Sequence, residues 1–178
     1  MEFYDVMKKR RSIRSFNRTP IEPEKLRRIM EAVQVAPSAN HVQPWKFIVV
    51  TDPNQIKRVT DAARGQTFVG EAPIIIVAVG FPKDKMSSNG NVAHMVDLGI
   101  AGEHLALAVA AEGLATCWIA ALDQEKMCDV LNIPSNARVV AVFPIGYSSV
   151  EPYPKSRKTL AQITALNTWD GQPPEWAK

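Results

Sequence analysis

Apolar residues recur at helical spacing near the N-terminus of the chain. The spacing within residues 3–11 predicts a short first helix. Pro23 suits the first turn of a second helix, because the N–H that proline lacks is not needed there. The apolar positions that follow fall at i, i+3, i+4 and i+7: Leu26, Ile29, Met30 and Val33. This second helix is expected to end before Pro37.

Apolar runs rich in branched side chains predict four strands, over residues 47–50, 74–79, 115–121 and 138–145. Helical spacing predicts two shorter helices, one after Pro53 and one over residues 124–131. No internal repeat or linker divides the sequence. Residues 1–178 are therefore expected to form a single domain.

The longest predicted helix covers residues 91–112 and is apolar on almost every side. Five polar side chains interrupt it: His94, Asp97, Glu103, His104 and Glu112. A helix that is apolar all round must be covered all round, and its many glycines and alanines allow neighbouring backbones to approach closely. We therefore expect a subunit interface here. The alternative is a central helix that its own chain covers.

The character of the sequence changes beyond Gly146. Residues 147–178 contain four of the thirteen prolines and two of the four tryptophans, but no long periodic apolar run. This composition is typical of an extended tail that lies over another surface.

Composition limits the classes of protein to consider. With 46% hydrophobic and 22% charged residues among 178, the sequence is that of a globular protein and not of a disordered one. Its longest apolar runs fall short of the ~18 residues that a membrane span needs. The two cysteines lack metal-ligand spacing, so no metal site is expected, and they fit a reducing cytoplasmic setting.

The net charge of +3 is too small to indicate a nucleic-acid partner, but its distribution is informative. Residues 8–18 contain six basic side chains and no acidic one. Within them, Arg10, Arg11, Ser12 and Arg14 place three guanidinium groups and a hydroxyl at the expected end of the first helix. Guanidinium groups match phosphate in charge and shape. The alternative is a solvated cluster that complements the helix dipole.

A second basic cluster, which contains Lys155 and Arg157, follows the last predicted strand. If the two clusters converge in space, they form a pocket for a dianion. The nine glycines form neither a dinucleotide-binding loop nor a P-loop. Side chains must therefore hold the phosphate of any nucleotide-like ligand.

A polar loop covers residues 36–45, with the sequence A-P-S-A-N-H-V-Q-P-W. Loops of this kind often present hydroxyl, amide and ring groups to a ligand. The alternative is ordinary turn chemistry with Trp45 anchored in the core. The sequence lacks the patterns of nucleophilic and metal catalysis, so any chemistry is expected to come from a cofactor.

Taken in order, these features resemble the nitroreductase family of FMN-dependent oxidoreductases. The chain carries R-R-S-I-R, A-P-S-x-x-x-x-Q-P-W leading into F-I-V-V, D-x-G-I-A, G-L-A-T-C-W-I-A-A and a late P-K-S-R. Each motif is weak alone, but the ordered set extends over nearly the whole chain and is specific. The length is similar to that of the compact members.

The resemblance implies an α+β fold: a three-layer sandwich with a central mixed sheet flanked by helices, in an intertwined homodimer. The tail of residues 147–178 is then expected to pack on the partner subunit. Two FMN sites are implied at the interface, with NADH or NADPH as electron donor and a small molecule as acceptor. Neither a nucleic acid nor a membrane is expected as a partner.

The resemblance also assigns residues to the phosphate and to the polar edge of the flavin: Arg10, Arg11, Ser12, Arg14, Lys155 and Arg157. Arg10 is expected to reach the phosphate, and Lys155 and Arg157 to complete the clamp around it. Arg14 is expected near N1 and O2 of the ring, where reduction places negative charge.

Two further segments are implied around the ring. The partner subunit is expected to contribute loop residues: Pro37, Ser38, Ala39, Asn40 and Gln43. A second stretch is expected to run along the ring, with backbone N–H donors near Ala120 and Ala121 aimed at N5: Trp118, Ile119, Ala120 and Ala121. The chain departs from many members at His41, where they carry asparagine, and at Ala120, where several carry glutamate.

The implied mechanism is ping-pong, in which NAD(P)H reduces the flavin and leaves before a nitro-aromatic, quinone or similar acceptor takes the electrons. No catalytic side chain is needed for these steps. Two alternatives stay open. One is other flavin chemistry on the same fold, such as reductive dehalogenation or flavin fragmentation. The other is a non-enzymatic protein that binds a phosphorylated ligand.

Overall fold

The computed structural model describes residues 2–81, 90 and 92–178. Its helices and strands follow in the order α1 (Phe3–Lys9), α2 (Pro23–Gln34), β1 (Trp45–Val50), α3 (Pro53–Ala62), β2 (Ile74–Gly80), α4 (Ala93–Ala111), β3 (Ala115–Thr116), α5 (Gln124–Leu131), β4 (Arg138–Gly146) and α6 (Leu160–Ile163). Short 3₁₀ helices lie at Ala39–His41, Thr67–Glu71 and Glu175–Ala177. None of the described helices is long and apolar enough to cross a membrane.

The four strands form one sheet in the order β1-β2-β4-β3, and every neighbouring pair is antiparallel. The central strands β2 and β4 are joined from Ile74–Ile145 to Gly80–Arg138, with a bulge after Ala78. Among the described residues, the expected mixed sheet has one parallel pairing, an isolated bridge between Ser12 and Thr116 at the β3 edge.

The third strand is much shorter than the predicted 115–121, and Pro144 explains why. Thr116 pairs with Ile145, and three residues later Ile119 exchanges both backbone hydrogen bonds with Val142 in the same register. Cys117 therefore stands opposite Pro144 at a position where the ladder needs an N–H from both strands. Proline has no N–H, so the pairing is interrupted there.

Helices cover both faces of the sheet, which confirms the predicted layered α+β fold. Alternate side chains of β2 point to opposite faces, as a strand requires. Ile75 and Val77 pack in the cluster that contains α3 and α5 residues, whereas Ile76 and Ala78 pack in the cluster that contains residues of α2 and α4. All seven residues of β2 are buried.

The long helix α4 buries one side against the sheet and α2 and leaves another side exposed. Met95 is 47% exposed and Val96 is 52% exposed. The predicted helix began at residue 91, which lies outside the described residues; the helix begins at Ala93. Beyond β4 the chain is extended apart from α6 and the final 3₁₀ helix, and Trp169 is fully exposed there.

Candidate active site

The predicted basic cluster begins where α1 ends. The Arg10 backbone N–H donates to the Val6 carbonyl at 2.9 Å, and its Nε lies 3.3 Å from Glu103 Oε1 on α4. The Arg11 guanidinium donates to the carbonyl oxygens of Lys8 and Arg10. Arg11 thus satisfies the end of the helix, as cations commonly do there, while Arg10 points toward α4.

An extended segment follows and runs beside β3. The Ile13 N–H donates to the Thr116 carbonyl at 3.0 Å, and Ile13 is buried. Because side chains alternate along an extended segment, Ser12 and Arg14 lie on the opposite side, where both are exposed.

Charges of both basic clusters act on the buried Cys117 thiol. Burial raises the pKa of this thiol, while the Arg14 charge, a hydrogen bond to Ser12 and the charges of Lys155 and Arg10 act to lower it. The tail also comes close to the first cluster, because Pro152 lines one small cavity together with Arg10 and Thr116. Coulombic effects fall off with distance, so this approach agrees with the action of both clusters on one thiol. The sequence alone could not establish this convergence.

The remaining cations differ in their surroundings. The Arg14 guanidinium lies over the Phe68 ring, 5.9 Å from its centroid, and Phe68 belongs to the 3₁₀ helix Thr67–Glu71. Such a cation–π contact restrains the long side chain. Arg157 lies on the exposed tail, where its Nη1 donates to the Ser156 carbonyl at 3.3 Å. Lys155 is therefore the tail cation whose charge acts on the Cys117 thiol.

Trp118 adds a flat aromatic surface next to this cluster. Its indole is T-shaped against Phe143, with ring centroids 4.9 Å apart, and the residue is 37% exposed. A Cβ at Gly102 would lie 2.1 Å from Cζ3 of the indole. Glycine on α4 is therefore what allows the ring to lie against this helix.

The backbone after Trp118 leaves donors available. The Ile119 N–H bonds to Val142, whereas within the described residues neither the Ala120 nor the Ala121 N–H donates to another group of the chain. The Ala121 carbonyl accepts from Gln66 Nε2 at 3.1 Å. Both alanines are exposed, so these two N–H groups can reach a ligand.

The polar loop forms a tight turn after α2. Ser38 is partly buried, whereas Pro37, Ala39, Asn40 and Gln43 are exposed. The Ser38 Oγ accepts from the Gln43 N–H at 2.8 Å. Trp45 is partly buried at the start of β1 and packs against the core. The loop thus combines an anchored base with an exposed polar tip.

Several residues that shape this region were not identified as functional from the sequence: Phe68, Asp97, Gly102, Glu103 and Cys117. A signal did exist, because charged residues within the apolar helix α4 each bind a distant element. Asp97 accepts from Ala39, Glu103 pairs with Arg10, and Glu112 holds Arg28 through two bonds. A charge in an apolar helix needs a partner, so each such residue indicates a contact.

One cavity borders the first basic cluster and another lies away from it. The cavity away from it, about 660 Å³, lies between α3 and the 3₁₀ helix Thr67–Glu71. A smaller cavity of about 190 Å³ lies behind Arg10 and includes Thr116, whose buried Oγ1 has no partner within the described chain. The donor chemistry around Cys117, beside this smaller cavity, defines the candidate site.

The donor set fits FMN. Arg10, Arg14 and Lys155 supply permanent or near-permanent positive charge for a phosphate and a polar ring edge, and Ser12 supplies a hydroxyl. Trp118 supplies an apolar surface. No group of three metal-ligating side chains that could hold an ion occurs among the described residues.

Comparison with known proteins agrees with this geometry. The model of the nitroreductase family matches residues 7–69 and 63–147. The chain is 30% identical to an NADH dehydrogenase of Thermus thermophilus, over 87% of this chain and 91% of that protein. It is also 30% identical to iodotyrosine deiodinase 1 of Rattus norvegicus, over 91% of this chain and 68% of that protein.

A solved structure extends the similarity to the fold. The nitroreductase family protein of Clostridium novyi superposes with a TM-score of 0.79 at 35% identity, covering 97% of each chain. The resemblance stated from the sequence is thereby confirmed, together with the oxidoreductase class and the use of FMN with NAD(P)H that it implies. In sequence and in fold, this chain belongs to the nitroreductase family of FMN-dependent NAD(P)H oxidoreductases.

Proposed function

We propose that the protein is a homodimeric enzyme that passes electrons from NAD(P)H to a nitro-aromatic, quinone or similar small acceptor. FMN, when bound, supplies the redox chemistry by accepting a hydride and returning the electrons. The observation that carries the proposal is that charges of both basic clusters act on Cys117, beside a small cavity that Arg10 lines and beside the exposed Trp118.

The cations are proposed to hold and tune the cofactor. Arg10, with Lys155 and Arg157 from the tail, binds the phosphate through charged hydrogen bonds, with Arg11 fixing the end of α1 beside them. Arg14 lies at the polar edge of the ring, where it offsets negative charge on reduction. The Ser12 hydroxyl donates to the cofactor between these two regions.

The remaining contacts are proposed to come from backbone and aromatic groups. Trp118 and Ile119 line the ring, and the N–H groups of Ala120 and Ala121 provide donors that need no titrating side chain. The partner subunit contributes the loop residues: Pro37, Ser38, Ala39, Asn40 and Gln43. His41 Nε2 lies 3.2 Å from Gln43 Nε2. The loop thereby also places an imidazole near the electron acceptor.

A dimer explains the apolar surface that one chain leaves exposed. The outer side of α4 carries Met95 and Val96, and Tyr153 and Trp169 of the tail are 84% and 100% exposed. Exposed apolar surface of this extent marks an interaction site. We propose that residues 1–178 form one domain and that the tail of residues 147–178 packs on the partner. Both cysteines are free thiols, which suits the reducing cytoplasm.

The activity is tested on purified protein after its bound cofactor has been identified by spectrum and extraction. We expect FMN, and oxidation of NADH or NADPH that depends on a quinone or nitro-aromatic. If donor and acceptor bind in turn at one place, initial-rate plots at several fixed acceptor concentrations give parallel lines. Intersecting lines contradict the alternating mechanism. A protein that stays colourless after addition of FMN contradicts the whole proposal.

The phosphate clamp is tested with a double variant, Arg10→Ala with Arg157→Ala. A charged hydrogen bond contributes ~1.5–3 kcal/mol, so the loss of both cations is expected to weaken FMN binding by roughly two orders of magnitude or more. Arg58→Ala is the matched control, since Arg58 lies on α3 and donates only to Gln55. Unchanged FMN retention in the double variant contradicts the clamp.

Reductive dehalogenation is a second candidate, favoured by the similarity to iodotyrosine deiodinase 1. It is distinguished by release of iodide from an iodinated phenol when the reduced protein is supplied with that substrate. Iodide release with no turnover of quinones or nitro-aromatics favours this second candidate, and the reverse result favours the first.

A further inference from the structure

The polar loop adopts a backbone conformation that its residues do not favour. Asn40, His41 and Gln43 have φ values of 52°, 54° and 50°. Residues other than glycine rarely occupy this left-handed region, and each such residue costs about 1–3 kcal/mol unless its surroundings determine the conformation. Contacts of the loop must therefore hold it in place.

Most hydrogen bonds of the loop are local. The Ser38 oxygens accept from the N–H groups of His41 and Gln43, and the Ala39 carbonyl accepts from Val42. These bonds shape the turn itself. Among the described residues, one side-chain hydrogen bond ties the turn to a distant element: the Ala39 N–H donates to Asp97 Oδ1 at 2.9 Å.

The carboxylate that accepts this bond is unusual in its location. Asp97 is 4% exposed and lies on α4, next to an apolar core. Burying a carboxylate costs free energy unless a strong hydrogen bond compensates for it. His94, one turn earlier on α4, is also buried, and burial lowers its pKa, so a neutral imidazole is favoured there. The backbone N–H of Ala39 is thus an important compensating donor.

We propose that Asp97 is a positioning residue that fixes the polar loop of residues 36–45 to α4. This inference rests on the proposed function, in which the loop contacts the flavin. The bond joins residues 58 positions apart and holds Ala39 and the exposed tip that follows it. The bond sets the position of Asn40 and Gln43, the side chains that meet the ring from the partner subunit.

The position of Asp97 on α4 also explains why the polar loop and the phosphate clamp of one chain belong to two different flavin sites. Glu103 pairs with Arg10 from the same helix. The step of six residues from Asp97 to Glu103 turns a helix through about 600°, so their side chains point about 120° apart and lie about 9 Å apart along the axis. The loop and the phosphate clamp of one chain therefore occupy different sides of α4, and this helix positions parts of two flavin sites.

The test uses the full-length protein with Asp97→Ala, Asp97→Asn and the control Asp61→Ala, which removes an exposed carboxylate from α3. In Asp97→Ala we expect hydrogen exchange in residues 38–43 to accelerate at least tenfold and FMN affinity to fall roughly tenfold or more, as for a lost charged hydrogen bond. Asparagine keeps the acceptor oxygen, so Asp97→Asn is expected to restore most of both values. Asp61→Ala is expected to match the wild type.

A second variant keeps the inference testable if Asp97→Ala does not fold. Ala39→Pro removes the donor instead of the acceptor, and Ser38 before it is extended, with φ −142° and ψ 157°, as a residue before proline requires. We expect it to accelerate exchange in residues 38–43 and to lower FMN affinity roughly tenfold or more, whether or not Asp97→Ala folds. Where Asp97→Ala folds, the two losses are expected to be equal. In the double variant the loss is expected to be no larger, because both changes remove one bond.

The outcomes separate this inference from the proposed function. If the wild type takes up no FMN, the proposed function is wrong, and the exchange of residues 38–43, which needs no flavin, still decides whether Asp97 anchors the loop. If the wild type binds FMN but Asp97→Ala matches it in exchange and affinity, the inference is overturned. Equal losses in Asp97→Ala and Asp97→Asn also overturn it, because the acceptor oxygen is then not the cause.

Discussion

The centre of the sheet and the outer side of α4 are both apolar, but a single chain buries only the centre of the sheet. Ile75 and Phe143, on β2 and β4, are 0% exposed between two layers of helices. Met95 and Val96 on α4 remain about half exposed, although their helix is predominantly apolar, as the strands are. We call the buried centre of the sheet, in β2 and β4, the closed region. The outer side of α4, which a single chain leaves exposed, is the open region.

The difference shows where folding ends and assembly begins. In the closed region every apolar layer has a partner within the chain, so its contacts stabilise the protomer itself. In the open region the candidate site and the exposed apolar surface share one helix, because α4 holds Arg10 through Glu103 and the polar loop through Asp97. In the proposed dimer, a second copy completes the binding site and covers this surface in one step.

The largest expected effect comes from breaking the closed region. Phe143→Ala removes a fully buried ring that also packs against Trp118. Replacing such a ring leaves a cavity and lowers the free energy of unfolding by about 3–5 kcal/mol. Urea unfolding followed by circular dichroism measures the loss.

The exposed aromatic Trp169 provides the contrast. Trp169→Ala is expected to change the unfolding of dilute protomer by less than about 0.5 kcal/mol, as exposed substitutions usually do. A small change in the free energy of unfolding for Phe143→Ala, or a large change for Trp169→Ala, contradicts the distinction between the two regions.

The boundary between the regions is tested at Gly102. A Cβ there meets Trp118 Cζ3 at 2.1 Å, so Gly102→Ala forces the indole to move and is expected to cost about 1–3 kcal/mol. Trp118 contributes to the tryptophan fluorescence, which should change with it. Gly99→Ala is the matched control on the same helix, since no atom lies within 4 Å of its new Cβ. Gly99→Ala is expected to stabilise the protomer by about 0.5–1 kcal/mol, because alanine favours a helix more than glycine does. If Gly99→Ala and Gly102→Ala change the stability equally, the packing argument is contradicted.

The closed region could be predicted well from the sequence, because hydrophobic periodicity reports local geometry. Helix α5 was predicted residue for residue, and β2 and β4 within one residue at an end. The third strand failed because its partner decides its length: Pro144, more than twenty residues away, interrupts the ladder. Local patterns carry no information about such a partner.

The candidate site was predicted less completely for the same reason. The basic clusters and the polar loop were visible as motifs, but the sequence could not show that Lys155 lies near Cys117 or that Asp97 holds Ala39. These contacts join residues 38 and 58 positions apart. A charged residue in an apolar helix indicated that a partner exists, although not which one.

The open region is tested by placing a charge on its surface. Val96→Lys is expected to leave the fold of the protomer intact and to weaken dimerisation at least tenfold, because a lysine cannot be buried there without a partner. Sedimentation measures the dimer, and retained FMN should fall with it. Val49→Lys is the control, since Val49 is 38% exposed on the edge strand β1. Dimerisation that is unchanged in Val96→Lys contradicts the proposed interface.

The smallest effect is expected at the rim of the closed region, where Tyr147 follows β4. Its hydroxyl donates to Glu22 Oε2 at 2.7 Å, and Lys25 Nζ lies 3.2 Å from the other oxygen. The Tyr147 hydrogen bond, followed by a backbone hydrogen bond and Lys25, lowers the pKa of Glu22 from 4.5 to about 2. The unfolded chain therefore binds a proton at higher pH than the native one, and the stabilisation by Glu22 is present above about pH 4.5 and disappears toward pH 2.

Glu22→Gln is accordingly expected to lower the urea midpoint slightly at pH 7, and the difference from the wild type should shrink as the pH falls from 4.5 to 2. Tyr147→Phe removes the main donor and is expected to reproduce that trend, whereas Glu151→Gln, on the exposed tail, should not. Because Glu22 is solvent-exposed, its effect must stay well below that of Phe143→Ala. If the difference in urea midpoint does not change with pH, Glu22 acts through packing and its charge does not stabilise this part of the fold.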